Sequence, residues 1–401
     1  MLFTLLLPVT ALSIDNYAVI MCGSKGWSNY RHQADVYAWR RVLINRGFAP
    51  SNIITLSFND VPYRDDKTQS QNGSIYHTCY GPDIYEPVIN YTGADANKQN
   101  FFKVLSTIPS GKGGWFKREV NVLIIYINHG AYDLLSTPNA FDQPIYVDEF
   151  GEIVNELSTR VARVFCILEA CHSGTMAMHA RYNRNVIFMT AANPKQSSYS
   201  HGYCERLGVF TTNEMTYHLL NYLDNRDNDE RTINDMIAYV KHQTNMSSVV
   251  RSGMTNRIPL KEFFKAIDKQ GVNGILGNVS VNVKARRRNI NSLTDERLIG
   301  IYNRIRRTLA ANVDRYGIDL TEQIRCRKRI SASAMQLFVD EYLHEDNIEF
   351  LTTIGDLCRD FSYDDISSAM VVVRDSLTMR SRYEGNMYHK HRRGRGYTVM
   401  N

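Results

Sequence analysis

Val120-Asn121-Val122-Leu123-Ile124-Ile125-Tyr126-Ile127 decides how this chain folds. It is short, β-branched and almost without polar alternation, which is how a strand covered on both faces reads. Tyr17–Cys22, Ile53–Phe58, Val164–Leu168 and Val186–Met189 have the same character. Between them lie amphipathic stretches at Gln33–Asn45, Phe101–Thr107, Val147–Glu156, Val209–Asp224 and Ile233–Thr244. This β-α-β rhythm predicts an α/β fold, a mainly parallel sheet with helices on both faces. In such sheets chemistry collects beyond the carboxyl ends of the strands.

Two of those ends carry reactive side chains. Val120–Ile127 runs into Asn128-His129-Gly130, and Val164–Leu168 runs into Glu169-Ala170-Cys171-His172-Ser173-Gly174. A thiol is nucleophilic as thiolate, and a nearby imidazole can take its proton and later protonate a leaving amine. A glycine directly after His129 lets backbone approach a substrate carbonyl. Its N–H, with that of Cys171, is placed to stabilise an oxyanion. His172 is a rival base, ranked lower because its neighbouring position aims its side chain differently. A third cluster, Gly23 to Asp35, leaves the end of the first strand. Gly23 and Gly26 fit neither G-x-G-x-x-G nor G-x-x-x-x-G-K-[ST], so no nucleotide is expected there.

The chain has 401 residues, 47 Lys and Arg against 41 Asp and Glu, and 43% hydrophobic residues. That is globular composition, long enough for two or three domains. No run of about 18 apolar residues follows the first dozen positions, so an internal membrane span is not expected. Residues 281–401 hold 21 Lys and Arg against 16 Asp and Glu, so nearly all of the net +6 lies in the last third. A basic third suits nucleic acid, an acidic membrane or an acidic surface of its own chain. It has no nucleic-acid motif and no interleaved aromatics, so nucleic acid is not an expected partner.

Domain boundaries follow from these shifts. Residues 1–13 read as a signal peptide, an apolar run ending in Ala11-Leu12-Ser13. Residues 14–280 form the α/β domain. Residues 281–292, with Arg286-Arg287-Arg288, form a basic linker. Residues 293–401 form an all-α domain, with helices expected at Leu293–Asn312, Ile318–Ile330, Ala332–His344, Asn347–Phe361 and Ile366–Arg380 and a loose tail from Tyr388. Sequons at Asn72, Asn90, Asn245 and Asn278 are candidate glycosylation sites and fit the secretory pathway. Seven cysteines are too few for a disulfide scaffold, and an odd number cannot pair completely. Cys22, Cys79, Cys166 and Cys204 read as structural.

Ser24-Lys25-Gly26-Trp27-Ser28-Asn29-Tyr30-Arg31-His32-Gln33-Ala34-Asp35, Asn128-His129-Gly130, Glu169-Ala170-Cys171-His172-Ser173-Gly174 and Thr190-Ala191-Ala192-Asn193-Pro194 together resemble the legumain family of asparaginyl endopeptidases. That group also contains the catalytic subunit of the GPI transamidase. The resemblance runs from about 16 to 265, with a weaker echo in the helical third. It implies a caspase-like sheet and a cysteine endopeptidase cutting after Asn through an acyl-enzyme, with no metal and no cofactor. On that resemblance His129 is the base, Cys171 the nucleophile, Gly130 an oxyanion donor, and Asn29 orients the histidine. Arg31, His32, Glu169 and Ser198 line the pocket for the substrate side chain. Val209 stands where legumains carry an acid, and Leu207–Leu220 looks more like the transamidase subunit. Transpeptidation, ligation or transamidation on the same dyad is therefore an alternative outcome.

The resemblance further implies a zymogen. The helical third would cap the site and be released at acidic pH, with Asn289 and Asn291 as candidate self-cleavage sites and Arg286-Arg287-Arg288 open equally to a trypsin-like enzyme. It implies one prodomain disulfide, Cys326 with Cys358. Protein substrates and cystatin-type inhibitors are the implied partners, in a lysosome-like or secreted location.

Overall fold

The computed structural model describes residues 14–63, 65–66, 69–70, 73–111, 119–138, 143–178, 183–253, 255, 258–265, 296–312, 320–338 and 348–377. The expected signal peptide, the linker 281–292 with its arginine cluster and Asn289 and Asn291, the sequons at Asn72 and Asn278, and the tail from Tyr388 lie outside the described residues. The chain divides into two compact units, Met1–Asn291 and Ser292–Asn401.

Six strands make the main sheet of the first unit: β1 (Ile14–Cys22), β2 (Ile53–Leu56), β3 (Glu119–Ile127), β4 (Arg163–Glu169), β5 (Val186–Thr190) and, after a separate hairpin of β6 (Ser200–Cys204) and β7 (Val209–Asn213), β8 (Val250–Ser252). Their order is β8-β5-β4-β3-β1-β2, parallel throughout except for β8 at the edge. Central strands buried on both faces explain the apolar runs: Ala18 to Cys22 and Val122 to Ile127 are fully buried.

The ladder lays out two faces. Ile20, Ile125, Ile167 and Met189 form one row across the sheet. They pack in one core with α1 (Tyr30–Asn45), α4 (Glu214–Asp224) and α5 (Ile233–Gln243) through Trp39, Leu43, Leu219, Leu223, Met236 and Val240. The opposite row meets α2 (Lys98–Thr107) and α3 (Val147–Arg160), where Phe101 packs edge-on against Tyr126 and Phe150 against Phe188. Helices on both faces of a mainly parallel sheet are thus observed.

One first-unit expectation is corrected. The stretch Val209–Asp224 is not one helix: Val209–Asn213 is a strand paired antiparallel to Ser200–Cys204, and the helix starts at Glu214. Val209-Phe210-Thr211-Thr212 is β-branched and aromatic, and its partner strand lies a tight turn away. That turn places Gly208 at φ 68°, a conformation glycine adopts freely. The hairpin is fastened by a disulfide between Cys79 and Cys204, 125 residues apart.

The second unit is helical: α6 (Glu296–Asn312), α7 (Leu320–Phe338), α8 (Glu349–Gly355) and a helix over 363–377. Leu298, Ile301, Ile305 and Leu309 of α6 are buried at helical spacing. The two helices expected on either side of Ser331 are one, because Ser331 sits buried within the turn rather than breaking it. The helix expected over Asn347–Phe361 ends at Gly355 and continues as a 3₁₀ turn, Asp356–Arg359. Cys326 and Cys358 are disulfide-bonded, tying α7 to that turn. Among the described residues no helix is long and apolar enough to cross a membrane.

Candidate active site

Parallel pairing sets Ile127 opposite Glu169, so β3 and β4 finish side by side. The backbone N–H of Asn128 continues the ladder to the Glu169 carbonyl at 3.0 Å. His129 and Cys171 therefore leave neighbouring strands at the same level. Contact there is close: a Cβ on Gly130 would lie 2.5 Å from the Cys171 carbonyl oxygen, so the position requires glycine. Asn128 clamps the strand ends, its Nδ2 donating to the carbonyls of Gly23 and Ser136.

His129 is buried and its Nε2 lies 2.8 Å from Oδ1 of Asn29. Asn29 sits just before α1, and its Nδ2 donates to the Lys25 carbonyl at 3.0 Å. That bond turns Oδ1 toward the imidazole, so Nε2 carries the proton and Nδ1 the lone pair. Burial first, and the Arg31 guanidinium second, hold His129 far below its ordinary value, at about 3. The ring is thereby kept as a neutral base.

Of the three cysteines outside disulfides, Cys22 and Cys166 are buried inside strands, while Cys171 is partly exposed. Burial pushes the Cys22 thiol up to about 12 and raises Cys166 strongly, which makes both inert. The Cys171 sulfur stands 3.9 Å from both the hydroxyl and the carbonyl of Ser198. His172 has a left-handed backbone at φ 53°, unusual for a non-glycine residue. Its Nδ1 donates to the Pro194 carbonyl at 3.0 Å and its ring stacks on Tyr132. The rival base is thus engaged away from the thiol.

The expected pocket residues fall into two groups. Arg31 and His32 open α1, whose residues through Arg40 are all buried, polar ones included. His32 packs edge-on against His129 at 5.0 Å, and its Nδ1 meets the Ser24 hydroxyl at 2.7 Å. Burial, then Arg31 and His129, keep it well below the usual histidine range. Glu169, at the end of β4, accepts the backbone N–H and hydroxyl of Thr216 in the first turn of α4, each at 2.9 Å. Its other oxygen is buried without a hydrogen bond. Burial, reinforced by Asp35 and opposed by Thr216, raises its carboxyl to about 8.

Arg31 is engaged with Asn213 and the Ser28 carbonyl. Asn213, Thr216 and the Cys79–Cys204 disulfide had no sequence signal, and Asp35 was visible only as part of a motif. Of the described sequons, Asn90 and Asn245 are exposed. Among the described residues no cluster of metal-ligating side chains is present.

The sequence model of the Peptidase C13 family matches residues 16–265. Legumain of Homo sapiens is 30% identical over 264 residues, 62% of this chain and 60% of that protein. Hemoglobinase of Schistosoma mansoni is 31% identical over 265 residues, 64% of this chain and 60% of that protein. The vacuolar-processing enzyme delta-isozyme of Arabidopsis thaliana is 32% identical over 198 residues, 47% of this chain and 41% of that protein. Among solved structures, caspase-1 from Spodoptera frugiperda aligns with a TM-score of 0.39 and 11% identity, over 65% of this chain and 93% of that one. The chain thus spans about 60% of the length of the legumain and hemoglobinase relatives.

Proposed function

The chain belongs to the Peptidase C13 family, and from that premise we propose that it is a cysteine endopeptidase cutting on the carboxyl side of Asn. The observation that carries this is the strand-end pair: His129, fixed by Asn29 at 2.8 Å, beside Gly130, which touches the Cys171 backbone.

In this mechanism Nδ1 of His129 takes the thiol proton as Cys171 Sγ bonds to the substrate carbonyl carbon. The N–H groups of Gly130 and Cys171 hold the resulting oxyanion. The C–N bond breaks, the amine leaves with the proton from His129, and a thioester remains. Water then attacks that thioester, giving up a proton to His129, and the acid and the thiol are released. Arg31, His32, Glu169 and Ser198 receive the substrate side chain. A protonated Glu169 can donate to an amide oxygen, whereas an ionised one cannot. With its carboxyl raised, Glu169 can offer both a donor and an acceptor to an amide-bearing side chain at mildly acidic pH.

In the same proposal the second unit is an inhibitory prodomain, released at acidic pH and separated near Asn289 or Asn291. Two disulfides support an oxidising compartment, consistent with secretion or a lysosome-like location and with glycans at the sequons.

The test is release of a fluorophore from an Ala-Ala-Asn peptide, with Asp, Ala and Lys alternatives at the last position, between pH 4 and 8. Wild type, Cys171→Ala and His129→Ala are compared. Activity surviving Cys171→Ala sinks the mechanism, and equal cleavage after Lys sinks the pocket.

A further inference from the structure

Asn213 closes β7 and directly precedes α4, a position where an Asn side chain ordinarily caps the helix. Here it makes no cap bond. Its Oδ1 accepts from Nε of Arg31 at 3.1 Å, and its Nδ2 donates to Oδ2 of Asp35 at 2.7 Å. The Asn213 backbone N–H reaches the same Asp35 oxygen at 3.2 Å. The other Asp35 oxygen accepts the Thr212 hydroxyl at 2.7 Å and Nε2 of His77 at 2.8 Å. Asp35, Thr212, His77, Asn213 and Arg31 are all buried.

The chemistry of the amide makes this arrangement directional. Asp35 can only accept, so the Asn213 NH₂ group must face it and the carbonyl must face Arg31. A flipped amide would set oxygen against oxygen on one side and donor against donor on the other. The guanidinium is planar, so holding Nε at Asn213 and Nη1 at the Ser28 carbonyl fixes the plane as well as the position.

We infer that Asn213 is the positioning residue for Arg31, and that Asp35, by dictating the Asn213 orientation, sets the angle at which the pocket arginine meets the substrate side chain. This rests on the reading of Arg31 as a wall of that pocket. His129 donates its hydrogen bond to Asn29 and Cys171 lies against Ser198, so the network acts on recognition first and reaches the base only through the charge of Arg31.

The test compares wild type with Asn213→Ala, Asp35→Asn and the exchange Asp35→Asn/Asn213→Asp on the Ala-Ala-Asn and Ala-Ala-Ala peptides. Alkylation of Cys171 by iodoacetamide and the Tm are measured alongside. Asn213→Ala is expected to raise KM for the Asn peptide on the order of 10- to 100-fold, the range for losing one buried hydrogen bond to a charged group. Its kcat should change only a few-fold, its preference for Asn over Ala should narrow, and its alkylation rate should match wild type. Asp35→Asn should behave alike. The exchange should recover part of the loss, because the carboxylate it introduces on β7 accepts directly from Arg31 and from the new amide on α1. Unaltered KM and preference in Asn213→Ala overturn the inference alone. So does a parallel fall of kcat, alkylation and Tm, which marks a purely structural role. A wild type that cleaves neither peptide after incubation at pH 4 to release the second unit overturns the functional reading and this inference with it.

Discussion

Nε2 of His129 stands 2.8 Å from Oδ1 of Asn29, with both side chains buried, so the tautomer of the imidazole is dictated by an amide whose other end is already committed to the Lys25 carbonyl. Asn29→Ala frees the ring to rotate. It is expected to lower kcat by up to about 100-fold, the scale of a misplaced reacting group, with KM little changed. Steady-state kinetics on the Asn peptide read this directly, and an equal rise in KM would assign Asn29 to binding instead.

His129 gives the first pH signature. Its folded value of about 3 lies below the ordinary 6.5, so the unfolded chain takes up this proton first. The group's contribution to stability is complete above pH 6.5 and is lost as pH falls toward 3. His129→Gln removes that loss, and its Tm relative to wild type should rise steadily from pH 6.5 downward. A constant difference across that range would contradict the burial argument.

Glu169 gives the opposite sign. Its folded value of about 8 lies above the ordinary 4.5, so the native state holds a proton that the unfolded chain releases. Its contribution is complete below pH 4.5 and is lost as pH rises through about 8. Glu169→Gln keeps an acceptor for Thr216 and cannot ionise. The variant should match wild type in Tm near pH 4.5 and exceed it at pH 8, and equal curves at both ends would show that the carboxyl titrates normally.

The Cys79–Cys204 bond closes a loop of 125 residues and pins the hairpin that ends in Asn213. Arg206 adds a hydrogen bond to the Cys79 carbonyl at 3.1 Å. Changing both cysteines to Ser is expected to cost about 2–5 kcal/mol, which corresponds to roughly 2–4 °C in Tm for each kcal/mol in a unit of this size. Because the hairpin carries Asn213, KM should rise as well. Differential scanning calorimetry with matched kinetics checks both, and a Tm within about 1–2 °C of wild type, well under the expected cost, would make the bond dispensable.

The central strands were legible because burial on both faces leaves an unmistakable apolar run, and the reactive ends were legible because each run stops at a His-Gly or at Cys-His-Ser-Gly. Local pattern failed where pairing decided the outcome. Val209–Asn213 looks like the opening of the helix that follows, and only its antiparallel partner Ser200–Cys204 makes it a strand. The disulfide was invisible because its ends are 125 residues apart and spacing carries no pairing information. Asn213 was invisible for a related reason: its partners, Arg31 and Asp35, lie 182 and 178 residues upstream.

The register that sets Ile127 against Glu169 also fixes how the proposed dyad can fail. The separation at which the two strand ends leave the sheet is that of adjacent strands, about 4.8 Å, which no side-chain substitution alters. Deleting one residue within Val122–Ile127 would instead bring His129 to the rung now held by Asn128 and turn it to the other face of the sheet. On the proposed mechanism this framework tolerates gradual change in spelling, but a single slip of frame switches it off at once.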